Sequence, residues 1–127
     1  MRILIAAVAL FGVLASNVVF AESNAGTKFL SGCKLALRFW ETKKMAKDDN
    51  QVDMGYCVGM VAGVRETLQY LTGGAENKFP GICLPENYID QMGVQAIVKH
   101  SEDRPDLSTK RPTLIALLAL KAEYPCK

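Results

Sequence analysis

Apolar side chains recur at helical spacing through most of the chain. The first set, which would share one face of a helix, is Phe29, Cys33, Ala36, Leu37 and Trp40. Polar residues occupy most of the remaining positions of this segment. The stretch that follows, Lys44 to Asp53, is mostly polar, which predicts a helix end and a solvated connection.

A second helix is predicted from about Val52 to Leu71. Its inward positions would be Val58, Val61, Ala62, Arg65, Leu68 and Leu71. The same segment carries Gly55, Gly59 and Gly63, each four residues apart. Because glycine inside a helix costs about 1 kcal/mol relative to alanine, this stripe indicates close approach by another backbone. The favoured interpretation is tight packing within one bundle, and the alternative is an interface between subunits.

A third helix follows a glycine-containing stop and a loop. Thr72-Gly73-Gly74 ends the second helix, and the loop from Gly74 to Pro85 contains Cys83. Asn87, with Asp90 three residues later, predicts the N-cap of the third helix. The inward positions of that helix would be Ile89, Met92, Ala96 and Ile97. The polar run from Ser101 to Asp106 is predicted to end it.

The fourth predicted helix, from about Thr109 to Glu123, is apolar on nearly all sides from Leu114 to Leu120. Such a helix is expected to lie in the centre of a core. Pro112 is acceptable within its first turn, and Pro125 lies beyond its end. Four helices joined by short connections predict an all-α fold, a small four-helix bundle or a slightly elaborated form of one.

The composition indicates a single folded domain, and the N-terminal segment indicates a signal for export. The 127 residues suit a single domain, and 15 basic against 13 acidic side chains exclude a polybasic nucleic-acid binder. Arg2, an apolar run and Val19-Phe20-Ala21 predict a cleavable signal peptide over residues 1–21, followed by a domain over residues 22–127. An uncleaved anchor is the alternative, but Ser16 and Asn17 interrupt the apolar run. We therefore expect a periplasmic protein with no membrane span after cleavage.

All four cysteines fall in the exported part, at Cys33, Cys57, Cys83 and Cys126. An even count in an oxidising compartment predicts two disulfides. A zinc site is the alternative, but the chain has no CxxC pair and one histidine. Three pairings are possible. The bundle layout favours Cys33 with Cys57, across the first two helices, and Cys83 with Cys126, at one end of the third and fourth.

Candidate catalytic chemistry is scarce in this sequence. His100 is interpreted as a solvated helix-end residue, and the paired acids Asp48-Asp49 and Glu102-Asp103 as solvated charges. No phosphate-binding glycine loop, nucleophile elbow or metalloprotease motif occurs. We expect a binding protein without a catalytic site, cofactor or metal. An enzyme that uses an unpaired cysteine is the less favoured alternative.

Several segments together resemble a known family. They are Cys57 to Thr67, Cys83-Leu84-Pro85, Arg104-Pro105-Asp106, Ala116-Leu117 and Tyr124-Pro125-Cys126. In order and spacing they are similar to the Tai/Rap-type immunity proteins, which accompany type VI secretion amidase effectors. The resemblance implies a periplasmic helical protein that inserts a loop into the cysteine–histidine active site of a peptidoglycan amidase. It also implies a homodimer.

The contact segment is a hypothesis of its own. Charged connections at Glu41 to Asp53 and Lys99 to Lys110, and the loop Gly74 to Pro85, are candidate surfaces. The segment favoured for partner binding is polar, is stiffened by proline and joins the helices that Cys83 and Cys126 would tie. Its residues are Lys99, His100, Ser101, Glu102, Asp103, Arg104, Pro105 and Asp106. Because a fold does not determine a function, a periplasmic structural or chaperone-like protein without a toxin partner remains the alternative.

Overall fold

The computed structural model describes residues 24–71 and 81–127. Four α-helices follow one another in the order α1 (Ala25–Thr42), α2 (Gln51–Leu71), α3 (Asp90–Asp103) and α4 (Pro112–Glu123). A short 3₁₀ helix, Pro105–Thr109, lies between α3 and α4. The described residues contain no β-strand, and one isolated bridge joins Ile82 to Pro125. The predicted all-α, slightly elaborated four-helix bundle is therefore confirmed.

Two sequence predictions fall on parts of the chain outside the described residues. The signal peptide over residues 1–21 lies there, and so does the predicted helix stop at Thr72-Gly73-Gly74 with most of the loop that follows. The last residue of α2 is Leu71, directly before that stop. None of the described helices is both long and apolar enough to cross a membrane.

One apolar core joins all four helices. α1 packs against α2, α3 and the 3₁₀ helix, and α4 packs against α3 and α2. The largest side chains with no more than a trace of exposure are Phe29, Val61, Val94, Ile97, Leu107, Ile115 and Leu120. Each helix contributes to this set, so the free energy of burying apolar surface is shared among all of them. The 3₁₀ helix contributes as well, through Leu107.

Helical periodicity placed many inward positions correctly and some wrongly. Val61, Leu68, Ala96 and Ile97 are buried as predicted, but Leu71 is 49% exposed and Ile89 is 56% exposed. Leu71 lies in the last turn of α2, and Ile89 precedes the first turn of α3. α4 is also less central than predicted, since Leu114 is exposed.

The ends of the helices differ from the prediction at two places. Asn87 is not an N-cap: it lies in a turn, and α3 begins three residues later at Asp90 with Ile89 in the capping position. Asn50 instead caps α2, because its side-chain oxygen accepts hydrogen bonds from the backbone N–H groups of Val52 at 3.1 Å and Asp53 at 3.2 Å.

α3 continues farther than the polar run suggested. Ser101, Glu102 and Asp103 are its last three residues, so the helix ends inside the predicted breaker and not before it. Arg104 leaves helical geometry because it precedes Pro105, whose ring disfavours the helical conformation of the preceding residue. Pro112 is the first residue of α4, as predicted for a proline in the first turn.

The predicted pairing of the cysteines is confirmed. Cys33 is bonded to Cys57, which ties α1 to α2, and Cys83 is bonded to Cys126, which ties the chain before α3 to the C-terminal tail. The backbone around the second bridge is also paired: the Cys83 N–H donates to the Tyr124 carbonyl at 2.9 Å, and the Cys126 N–H donates to the Gly81 carbonyl at 3.2 Å. All four cysteines are therefore used in structure.

Close backbone approach occurs at glycines other than the predicted ones. A Cβ at Gly32 would overlap the backbone carbonyl of Asp53 on α2, and a Cβ at Gly26 would overlap the carbonyls of Ser108 and Lys110. By contrast, a Cβ at Gly55, Gly59 or Gly63 would meet none of the described residues within 4 Å. The favoured interpretation, packing inside the bundle, is therefore wrong for the described residues, because the three glycines are exposed on α2. The alternative, an interface between subunits, stays a prediction.

We expect Gly32→Ala to lower the free energy of unfolding by about 1–3 kcal/mol, because the added methyl group forces α1 away from Asp53. Urea unfolding followed by circular dichroism measures this change. Ser31→Ala is the matched control, since Ser31 is exposed on the same helix and should change stability by about 0.5 kcal/mol or less. Equal stability of the two variants would contradict the close contact.

The two disulfides should differ in their rate of reduction. Cys33 and Cys57 are 0% exposed, whereas Cys83 is exposed and Cys126 is half-buried. Because reduction requires a thiolate to reach a disulfide sulfur, limiting reductant should open Cys83–Cys126 first. Alkylation followed by peptide mass spectrometry identifies the labelled cysteines. The difference should disappear in concentrated urea, and simultaneous labelling of both pairs in the folded protein would contradict the prediction.

Candidate partner-binding surfaces

The segment predicted to bind a partner forms a sharp corner between α3 and the 3₁₀ helix. We call residues 99–106 the 99–106 corner. Five consecutive residues at its tip, Glu102 to Asp106, are exposed. The next residue, Leu107, is 0% exposed and packs in the core. The corner is therefore a charged, exposed connection whose far end is anchored by a buried side chain.

Hydrogen bonds hold the shape of this corner. The Arg104 guanidinium donates to both carboxylate oxygens of Asp106, through Nε and through a terminal nitrogen, each at 2.9 Å. The backbone N–H of Leu107 donates to the Arg104 carbonyl at 3.0 Å, and the Ser108 hydroxyl donates to the Pro105 carbonyl at 2.9 Å. A two-point arginine–carboxylate contact fixes orientation as well as distance. The tip is consequently preorganised.

The eight predicted contact residues do not all lie at the surface. Lys99 and residues 102–106 are exposed, and His100 is half-buried in the last turn of α3. Ser101 is 9% exposed, and its hydroxyl donates to the Val98 carbonyl at 2.7 Å. Ser101 is therefore a structural residue of the helix end, which leaves the other seven residues as candidates for partner contact.

Electrostatic interactions reinforce the corner at both ends. The hydrogen bond from Arg104 lowers the pKa of the Asp106 carboxyl below its usual value. At the other end, the Lys99 ammonium donates to Glu123 on α4 at 2.8 Å, and this bond raises the pKa of Lys99. Both pairs are at the surface, so each contributes little to global stability. Their effect is to orient side chains.

The connection between α1 and α2 is a second charged surface. Lys43, in the left-handed conformation at φ 55°, ends α1. Asp49 then closes the connection, because its carboxylate accepts hydrogen bonds from the Arg38 guanidinium and, at 2.6 Å, from the Ala46 N–H. The bond from Arg38 is the main reason that the pKa of Asp49 is lowered. Asp49 is thus a structural clamp, and not one member of a solvated acidic pair as predicted.

Among the described residues, neither surface brings together the side chains needed to bind a metal ion or to act as a cysteine nucleophile. Within residues 24–71 and 81–127, no group of three or more histidine, cysteine or acidic side chains is placed to hold a metal ion. Both disulfides are formed, so no cysteine offers a thiolate as nucleophile.

A third surface is apolar, and it contains the three glycines of α2 that the sequence predicted to lie at a close contact. α2 and α4 border an open groove of about 780 Å³ whose floor contains the three outward glycines. The residues that line it are Gly55, Tyr56, Gly59, Met60, Gly63, Val64, Thr67, Leu68, Leu71, Thr113 and Leu117. We call this surface the glycine groove. The Thr113 hydroxyl lies 3.7 Å from the Met60 sulfur across it, which links α4 to α2.

One signal in the sequence could have revealed the glycine groove. Apolar residues of α2 also fall outside its inward set, at Val52, Tyr56 and Tyr70. A helix that is apolar on both faces is normally covered on both faces. The glycine stripe alone favoured internal packing over an interface between subunits, whereas these exposed apolar residues of α2 favour an outward contact.

The comparisons with known proteins identify one family. A family model described as Rap1a immunity proteins matches residues 25–126, which is most of the chain and all four helices. No curated protein and no solved structure matches the chain. The matched range contains both disulfides, the 99–106 corner and the glycine groove.

The pKa of Asp106 should depend on Arg104 more than on any other cation. Arg104→Gln should raise this pKa toward the usual value for aspartate, about 3.9, because the two-point hydrogen bond is lost. Lys110→Gln is the control and should change it less, since Lys110 acts only at a distance. NMR titration of the carboxyl carbon measures both. In the unaltered protein the pair stays intact at neutral pH and opens only as the pH falls through the lowered pKa. Equal shifts in the two variants would contradict this account.

Proposed function

Since the chain belongs to the Rap1a immunity protein family, we propose that it binds a peptidoglycan amidase effector of a type VI secretion system and covers its active site. Immunity proteins of this kind bind a cognate toxin effector. The amidase as the specific target, and protection of the producing cell or its siblings, are our proposal. They follow from the resemblance to the Tai/Rap-type proteins described above.

The observation that carries this proposal is the preorganised 99–106 corner. Inhibition by covering an active site requires a rigid protrusion and no catalytic group on the inhibitor. Arg104 and Asp106 already hold each other in the unbound protein, and Leu107 anchors the turn. Less conformational entropy is therefore lost on binding than with a flexible loop. We propose that the tip, Glu102 to Asp106, enters the cleft of the amidase.

We propose that this binding takes place in the periplasm after export. Two disulfides are formed, and such bonds persist in oxidising compartments such as the bacterial periplasm. The predicted signal peptide over residues 1–21 supports the same location. A peptidoglycan amidase acts on the cell wall, so an inhibitor in the same compartment meets it before it reaches its substrate.

We further propose that the protein acts as a homodimer, as the resemblance implies. Two copies would present two 99–106 corners and could hold two amidase molecules. No residue of the 99–106 corner lines the glycine groove, so a contact made through that groove leaves the corner available to the toxin.

Alanine substitutions at Asp103, Arg104 and Asp106 should weaken binding of the amidase by at least about tenfold in Kd, which corresponds to about 1.4 kcal/mol. All three side chains are exposed, so the fold should persist. Co-purification with candidate amidases, calorimetry and a peptidoglycan hydrolysis assay measure binding and inhibition.

Alanine substitutions at Lys47 and Asp48 are the matched control for this experiment. Both residues are exposed in the other charged connection and should leave the affinity unchanged. Ser101 is omitted because it is buried. Unchanged affinity of the three corner variants would remove the corner from the binding surface. Failure to bind or inhibit any amidase would defeat the proposed function itself.

A further inference from the structure

Both ends of α3, the helix that carries the 99–106 corner, are contacted by residues that lie close to one disulfide. Tyr88 precedes α3 by two residues and follows Cys83 by five. Glu123 is the last residue of α4 and lies three residues before Cys126. Because Cys83 and Cys126 are bonded to each other, one bridge joins the two segments that meet α3.

Tyr88 fills the space between the beginning of α3 and α2. A Cβ at Gly93 would overlap the Tyr88 hydroxyl and approach a Val61 methyl carbon, so this side chain occupies the room that Gly93 leaves. The Tyr88 ring also meets the Tyr124 ring edge to face, with centroids 5.8 Å apart. Burial raises the pKa of Tyr88 to about 12, as expected for a hydroxyl in a packed contact. We call this arrangement the Tyr88 contact.

The C-terminal part of α3 is contacted from the other side of the bridge. The Lys99 ammonium donates to the Glu123 carboxylate at 2.8 Å. The next residue, Tyr124, accepts a hydrogen bond from the Cys83 N–H through its carbonyl oxygen at 2.9 Å. The end of α4 that holds Lys99 is therefore attached directly to the bridged segment. We call this ion pair the Glu123 contact.

The two disulfides differ in position and in access. Cys33–Cys57 ties α1 to α2, and both of its cysteines are 0% exposed. Cys83–Cys126 lies beside the two contacts with α3, and Cys83 is exposed. The second bridge is therefore the one that an external thiol or disulfide reaches more readily in the folded protein.

We propose that Cys83–Cys126 is a redox switch for the 99–106 corner, and that the toxin binds tightly only when this bridge is formed. This inference rests on the proposed function and adds the regulation of the same surface. In the reduced protein the two segments that meet α3 are no longer covalently linked. What then joins them is a ring contact and two backbone hydrogen bonds, and the Glu123 contact is an exposed ion pair that contributes little alone. The ends of α3 would move more freely, and with them the base of the corner.

The switch operates by thiol–disulfide exchange. One thiolate of the reduced pair attacks the disulfide of an oxidised dithiol oxidoreductase, and a mixed disulfide forms as one sulfur of that enzyme leaves. The second cysteine of the pair then attacks the mixed disulfide, which forms Cys83–Cys126 and releases the enzyme as a dithiol. Two electrons pass from the pair to the oxidant. The two protons lost by the pair balance the two that the departing sulfurs take up.

The location of the oxidant gives this switch a direction. Cytosolic thiols stay reduced, whereas disulfides form and persist in the periplasm. A chain that is still in the cytosol therefore binds the amidase weakly, and the exported chain binds it tightly. A producing cell would then make both proteins without joining them before the amidase leaves.

The test opens this bridge alone and measures the affinity for the amidase. The double variant Cys83→Ser with Cys126→Ser should raise the Kd by at least about tenfold relative to the unaltered, oxidised protein. Cys33–Cys57 and the core remain, and circular dichroism checks that the four helices persist. Limiting reductant opens the same bridge in the unaltered protein, and reoxidation should restore the affinity. This reversible treatment gives the same comparison if the double variant does not fold.

Gly32→Ala is the matched control. It lowers stability at the contact between α1 and α2 but leaves Cys83–Cys126 and both contacts with α3 in place. Its Kd for the amidase should equal that of the unaltered protein. A loss of affinity that came from lower stability alone would appear in this variant as well, so the comparison isolates the bridge.

Two further readouts do not depend on the amidase, and NMR measures both. In the double variant, amide hydrogens at both ends of α3 should exchange faster than in Gly32→Ala, because local opening of α3 requires less free energy. The hydrogen bond to Glu123 raises the pKa of Lys99 in the oxidised protein. Opening the bridge should lower this pKa toward its usual value of about 10.4.

The outcomes separate this inference from the proposed function. An unchanged Kd after the bridge is opened overturns the switch, and so does an equal loss of affinity in Gly32→Ala. If the unaltered protein binds no amidase, the proposed function fails. In that case faster exchange at both ends of α3 with a lower Lys99 pKa still supports control of the corner by the bridge, and unchanged values overturn it.

Discussion

The contact between α1 and α2 at Gly32 determines how the rest of the bundle is arranged. The missing side chain lets the α1 backbone approach the Asp53 carbonyl, and the Cys33–Cys57 disulfide fixes the same pair of helices one residue away. With α1 this close, Phe29 and Val61 become fully buried between the helices. The disulfide and the glycine act together, because the Cys33–Cys57 bond holds α1 and α2 at a short distance that the missing side chain of Gly32 permits.

This arrangement also decides which face of α2 is left uncovered. The buried side of α2 carries Cys57, Val61, Val64 and Leu68, and it packs against α1, α3 and α4. The opposite side carries exposed apolar residues as well as Glu66, and it has no neighbour among the described residues. The bundle thus presents two surfaces of different character, an apolar groove along α2 and a charged corner after α3. Apolar surfaces suit permanent contacts, and charged ones suit partners that come and go.

The 99–106 corner shows how a short sequence produces a rigid protrusion. Pro105 ends α3 through its effect on Arg104, and Leu107 returns the chain to the core two residues later. The exposed tip is short because both of its ends are fixed. The sequence predicted this segment as polar and proline-stiffened. It could not show that Ser101 is buried or that Arg104 donates hydrogen bonds to Asp106, because both depend on how the helix end is oriented against the core.

The sequence by itself predicted the four helices, the favoured pairing of the cysteines and the family, because periodicity, cysteine placement and motif order are properties of the chain read in one dimension. The tertiary structure alone decided which glycines permit close packing. Gly32 and Gly59 have the same local helical context, yet one faces the Asp53 carbonyl and the other faces open space. Helical spacing reports which residues share a face. It does not report what lies opposite that face, since the opposing backbone comes from elsewhere in the chain or from another molecule.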